Sequence, residues 1–172
     1  MKGKKRKFFM VKAVFFGVRD IFSPPKKTLK EAALDKGMSV LDFGAGTGSF
    51  AAAAAGIVGS GGKVYALDSD PEAAAFIKKR TAGKPNVFVI ESSCAAGLPD
   101  SSVDRVLLYD VFHLLENKRQ VLDEIYRVMK PDGRFSFSDH HMNDGEIRKA
   151  VLAGNLFDFF ERGKKTYTFK KI

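Results

Sequence analysis

The chain has 172 residues, 45% of them hydrophobic and 28% charged, which fits one globular domain with its own buried core. No apolar run approaches the ~20 residues that a membrane-spanning helix needs. The lone Cys94 excludes an intramolecular disulfide and a thiolate-built zinc site. The net charge of +9 is uneven: residues 1–30 carry many Lys and Arg against one acid, Asp20, and residues 162–172 add five more with no acid. Such ends suit either solvated tails or an anionic partner, with RNA and an anionic membrane surface as the two candidates.

The start, Met1 to Lys7, is basic like a signal peptide, but Phe8 to Val18 contains Lys12 and lacks a small-residue cleavage site. Secretion is therefore not expected, and cytoplasm is the expected location. Aromatics at 8, 9, 15, 16 and 22 make Phe8 to Phe22 an amphipathic helix, a candidate lid. Ser23-Pro24-Pro25 should break it, which divides the chain into a basic, aromatic segment, 1–23, and one domain, 24–172. Thr28 to Lys36 is helical in character and is stopped by Gly37.

Strands and helices then alternate. Strands are expected at Ser39 to Phe43, Lys63 to Leu67, Asn86 to Ile90, Asp104 to Leu108 and Gly133 to Ser138. Helices are expected at Ser49 to Val58, Pro71 to Arg80, Lys118 to Met129 and Gly145 to Ala153. Alternation of this kind means an α/β fold with a parallel sheet covered on both faces. Leu156 to Glu161 and Lys164 to Lys171 read as two closing strands around a turn at Arg162-Gly163. With no helix between them they must pair antiparallel.

Val40-Leu41-Asp42-Phe43-Gly44-Ala45-Gly46-Thr47-Gly48 is the most informative stretch. A buried strand runs into glycines at alternate positions, and a helix follows, a turn in which backbone can approach a ligand closely. Ser49 replaces the third glycine of the dinucleotide fingerprint, and no G-K-[ST] ending makes a P-loop. Asp42, two residues before the first glycine, is a poor neighbour for a pyrophosphate and a good one for a cation. Asp68 ends the second strand, where an acid accepts hydrogen bonds from ribose hydroxyls. It could instead cap the helix at Pro71, a task for which Asp70 is better placed.

These residues carry a resemblance. Val40 to Phe50 resembles the first motif of class I S-adenosylmethionine-dependent methyltransferases, and Lys63 to Glu72 the second. Gly97 to Asp104 looks like the family's acidic loop before the fourth strand. Ile125 to Arg134 resembles the helix-to-strand signature of the type 11 subgroup that includes ubiquinone-biosynthesis C-methyltransferases. The match runs in order over residues 24–172. It implies a Rossmann-like seven-stranded sheet of order 3-2-1-4-5-7-6 with strand seven antiparallel, and S-adenosylmethionine as cofactor. The cofactor contacts it implies are Asp42, Gly44, Ala45, Gly46, Asp68, Ser69, Ser93, Cys94 and Tyr109. Ser93 departs from the acid usual at that place, which removes charge assistance from the bond to adenine. Cys94 acts there as a small filler beside its own backbone N–H.

The methyl acceptor should lie beyond strands four and five. All three histidines of the chain, His113, His140 and His141, fall at those two strand ends together with Asp139. Histidine suits proton transfer near neutral pH, and alternation along extended chain lets one of His140 and His141 face a pocket. His113 and Asp139 could equally serve only to order their loops. Adjacent histidines are poorly spaced for one ion, so no metal centre is expected. Tyr109-Asp110-Val111-Phe112 stands where amino-methylating relatives have an Asn- or Asp-Pro-Pro-aromatic tetrad. One cysteine also cannot build the multi-thiolate site of arsenite methyltransferases. The expected acceptor is a small or lipid-like molecule, with RNA methylation or cofactor binding without turnover as the alternatives.

Overall fold

A computed structural model describes residues 24–172; the expected helix Phe8 to Phe22 and most of the basic N-terminal stretch lie outside the described residues. Helix α1 (Pro25–Glu31) opens the domain. The expected start was Thr28, with the prolines read as breakers. Pro25 instead occupies the first turn, where a missing N–H costs nothing, so the helix begins and ends earlier.

Strand β1 (Ser39–Phe43) leads to α2 (Ser49–Val58), β2 (Lys63–Asp68), α3 (Pro71–Arg80) and β3 (Val87–Glu91). Then follow β4 (Val103–Tyr109), a 3-10 turn (Phe112–Leu114), α4 (Lys118–Val128), β5 (Met129–Ser138), α5 (Asp144–Leu152), β6 (Phe157–Arg162) and β7 (Tyr167–Lys171). The sheet order is β3-β2-β1-β4-β5-β7-β6, as expected. β1 lies parallel to both β2 and β4, while β7 runs antiparallel to β5 and β6. Building goes outward from β1 to β3 and then restarts on the other side at β4. A crevice opens at the carboxyl ends of β1 and β4, the usual place for a ligand in such a sheet.

Alternation along the strands divides the core in two. Leu41, Phe43, Val106, Leu108, Phe135 and Phe137 pack on one face against α4 and α5. Val40, Val64, Ala66 and Leu107 pack on the other against α1, α2 and α3. Each helix presents what its face needs: α4 buries Val121, Leu122, Ile125 and Val128, a spacing of one stripe on a helix. Small residues dominate α2, whose buried Ala51, Ala54 and Ala55 bring it close to the sheet. Two helices carry strong starts: Asp70 accepts from the Glu72 N–H ahead of α3, and Asn143 and Glu146 form a reciprocal capping box on α5. No helix of the described residues is long and apolar enough to cross a membrane.

Candidate functional site

The glycine loop is held by the strand beside it. Gly44 N and Ala45 N both donate to Leu67 O, at 2.8 and 2.9 Å, and Gly46 N donates to Asp68 Oδ2 at 2.8 Å. The backbone amides of these three residues are thus spent on β2. Gly44 has φ +76, and a Cβ there would stand 2.8 Å from a Val111 methyl. Only glycine satisfies both the left-handed backbone and that close approach. Val111 belongs to the loop after β4, so this contact welds the glycine loop to the segment that bears His113.

Asp42 sits on β1 just before the loop and is almost wholly buried, and its Oδ2 has no hydrogen-bond partner among the described residues. Burial, and then the nearby Asp68 charge, push its pKa up to about 7. A buried carboxyl oxygen without a partner is costly, and a cationic ligand group would relieve it. The donor set therefore fits the α-ammonium that S-adenosylmethionine carries. Asp68 is half-buried at the end of β2; its Oδ1 accepts from Asp70 N at 3.0 Å. Asp70 performs the capping, and both Asp68 oxygens accept backbone N–H groups, from Gly46 and Asp70. Ser69 beside it is exposed.

Ser93 and Cys94 follow β3 in a loop tied down by Asn117 Nδ2 donating to Ser93 O and Cys94 N donating to Ser92 Oγ. Cys94 is half-buried, and burial plus Glu124 and Asp123 raise its pKa, so its thiol is held protonated. Tyr109, expected against the cofactor, is buried, with its ring edge-on to Phe50 and its hydroxyl 2.8 Å from Ser136 Oγ. Burial drives its pKa well above the ordinary phenol value, so it stays neutral.

Beyond β4 and β5 the structure gathers all three histidines. His113 donates from both its backbone N (3.0 Å) and its ring Nδ1 (2.9 Å) to Asp139 Oδ2. Asp139 Oδ1 accepts from His141 N. Burial would raise the Asp139 pKa, but these three donors and the His113 charge outweigh it and hold it below the usual carboxylate value. His140 repeats the pattern on a second acid: its N (3.1 Å) and Nδ1 (2.8 Å) both meet Asp110 Oδ1. A carboxylate only accepts, so each Nδ1 carries the hydrogen, and in the neutral ring Nε2 is the nitrogen with the lone pair. The His141 ring lies tilted against the other two, its centroid 4.1 Å from that of His113 and 4.0 Å from that of His140.

A cavity of about 330 Å³ lies against this cluster. Asp110, Ser138, Asp139, His140 and Met142 line it from the ends of β4 and β5, together with Arg162, Lys164, Lys165 and Tyr167 from β6, the last turn and β7. Thr28, Phe50 and Ile147 close it. Of the two adjacent histidines it is His140 that lines the cavity, while His113 stands behind Asp139. Sequence reasoning missed Asp110. That residue sits at φ +54, a conformation that turns its carboxylate back toward His140, and no pattern in the sequence announces it. The basic residues at the cavity were visible only as a basic turn between closing strands. Asp110, Asp139 and His140 also bring one ligand atom each within 4.8 Å of one another, a grouping that the spacing argument on His140 and His141 did not consider. Both carboxylates are already engaged by the histidine donors described above.

Comparison with known proteins identifies the family and the fold. Residues 41–137 match the family model described as Methyltransferase domain. A crystal structure of a SAM dependent methyltransferase from Aquifex aeolicus superposes with a TM-score of 0.74 at 28% identity, covering 86% of this chain and 88% of that one. An arsenite methyltransferase of Halobacterium salinarum is 35% identical over 111 residues, 63% of this chain and 28% of its own. The ubiquinone/menaquinone biosynthesis C-methyltransferase of Hydrogenovibrio crunogenus is 28% identical over 149 residues, 84% of this chain and 56% of its own. The chain thus spans between a quarter and little more than half the length of these curated relatives.

Proposed function

We propose, for a chain that belongs to the methyltransferase domain family and whose cofactor is S-adenosylmethionine, that it transfers the methyl group to a small molecule seated in the cavity beside His140. The observation that carries the reading is the His140–Asp110 pair on the cavity wall, joined through Val111 to the glycine loop.

When bound, the cofactor supplies a methyl group made electrophilic by its sulfonium. The chain supplies position and proton management. Asp42 would meet the ammonium, Asp68 would accept from the ribose hydroxyls, and the loop of Ser93 and Cys94 would flank the adenine. Asp110 holds the His140 imidazole by Nδ1, so Nε2 is the atom that accepts the acceptor's proton. Asp139, His113 and His141 order the segment from which His140 projects. A volume of about 330 Å³ suits a compact acceptor. Arsenite is disfavoured: Cys94 stands alone in this chain, its thiol raised in pKa and placed at the adenine loop.

The test uses cell extract and S-adenosylmethionine labelled in its methyl group. The reading expects label in a small-molecule fraction, and expects His140→Ala to cut it ~10²–10⁴-fold with S-adenosylhomocysteine binding nearly intact. Label in RNA would overturn the small acceptor. Binding without any transfer would overturn turnover itself.

A further inference from the structure

The segment between β3 and β4, residues 92–102, has neither helix nor strand of its own, so groups on other elements decide where it lies. Its start is tied to the crevice: Ser92 N donates to Asp68 O at 3.0 Å, at the carboxyl end of β2. Exposure then alternates, with Ser92, Cys94 and Ala96 turned inward and Ser93, Ala95 and Gly97 outward. Cys94 and Leu98 pack on the face of the core that α4 covers.

Helix α4 holds the segment along its whole length. At its N-cap, Asn117 Nδ2 donates to Ser93 O at 3.3 Å. Two turns further on, Glu124 Oε1 accepts from Ala96 N at 2.7 Å. At its end, Ser101 N and Ser102 N donate to Arg127 O and Val128 O, at 3.0 and 2.8 Å. Glu124 is itself clamped: Arg127 meets both carboxylate oxygens, Nη2 on Oε1 at 2.9 Å and Nε on Oε2 at 2.8 Å, while Nη1 meets Asp100. The Glu124 side chain is only 12% exposed. A two-pronged Arg–carboxylate pair is a stiff anchor, and the group it holds is a backbone amide two residues from Cys94. Loss of that bond would therefore move the chain itself.

We propose that Glu124 is a positioning residue for the cofactor: it sets the backbone of residues 92–96 and through it the recognition of the adenine base. The inference rests on the reading above, in which Ser93 and Cys94 flank the adenine, and adds the residue that places them. Ser93 offers the base no charged acceptor, so recognition there depends on neutral hydrogen bonds, which weaken steeply when misaligned.

Calorimetry with two ligands tests it: S-adenosylhomocysteine, and S-inosylhomocysteine, in which an oxygen replaces the amino group of the base. The wild type should prefer the first by about tenfold or more. Glu124→Ala should shrink that preference to about threefold or less, whereas Glu124→Gln, which keeps an acceptor for Ala96 N, should retain most of it. Glu146→Ala breaks the capping box of α5 and should lower thermal stability with the preference intact. Hydrogen exchange on the wild type needs no variant: S-adenosylhomocysteine should slow the amides of residues 92–96. Equal binding of the two ligands, a preference that survives Glu124→Ala, its loss in Glu124→Gln or Glu146→Ala, or unchanged exchange overturns the proposal. A wild type that binds neither ligand would instead refute the methyltransferase reading.

Discussion

Asp42 is the residue on which the electrostatics of the site turn. In the folded chain without ligand its carboxyl keeps a proton up to about pH 7, whereas an unperturbed carboxyl releases it near 3.8. Between those values the native state binds more protons than the unfolded one, so this residue makes stability fall as pH rises from about 4 to 7. Urea midpoints across that window should therefore decline more steeply for the wild type than for Asp42→Asn, which has nothing to ionise. A cationic ligand reverses the preference by favouring the charged form. S-adenosylhomocysteine, which keeps the ammonium, should bind more tightly at pH 8 than at pH 6, and Asp42→Asn should abolish that slope. A slope that survives the substitution would place the ammonium elsewhere. Asp68→Ala should weaken the same ligand by about 1–3 kcal/mol, since it removes a charged acceptor from the ribose and also from Gly46 N. Unchanged affinity would reduce Asp68 to a turn residue. Both acids were legible in the sequence because each stands at a fixed offset from a strand end. Asp110 was not, because its role depends on a left-handed backbone and on a histidine thirty residues away.

At the scale of elements, the tie between α1 and the β6–β7 turn is the feature that sequence could not supply. Glu31 and Thr166 are 135 positions apart, and nothing local in either marks the contact. Glu31→Ala strands three donors, two of them on the buried Thr166. It should cost about 1–3 kcal/mol of stability by chemical denaturation while leaving S-adenosylhomocysteine binding in place. No loss would show that the donors find water as good a partner. The turn itself was expected at Arg162-Gly163, and it spans Gly163 to Thr166 because β7 begins only at Tyr167. β5 was expected from Gly133; it begins at Met129, where a register shift against Val103 carries the strand past Pro131. Punctuation by proline and glycine marks that an element ends nearby, but pairing decides the residue. The segment before α1 gives an independent prediction. All seven strands and both cofactor acids lie beyond Pro24, so removal of residues 1–22 should leave a folded core that still binds S-adenosylhomocysteine. A truncated chain that melts early would assign the aromatics at 8 to 22 to the main core.

For the whole molecule, alternation of strand and helix predicts the parallel sheet, and the helix-free closing pair predicts its antiparallel edge; both stand in the structure. The position of the glycine loop after β1 then places the ligand at the point where strand order reverses. What periodicity does not encode is the cavity, whose walls come from α1, α2, α5, the ends of β4, β5 and β6, and the last turn. The central claim is that the loop from Asp42 to Gly48, with Asp68, is built for S-adenosylmethionine and not for a dinucleotide. Calorimetric titration of the chain with S-adenosylhomocysteine and, separately, with NAD tests it most directly. The account predicts one saturable site for S-adenosylhomocysteine and no heat from NAD; saturable NAD binding without S-adenosylhomocysteine binding would contradict it.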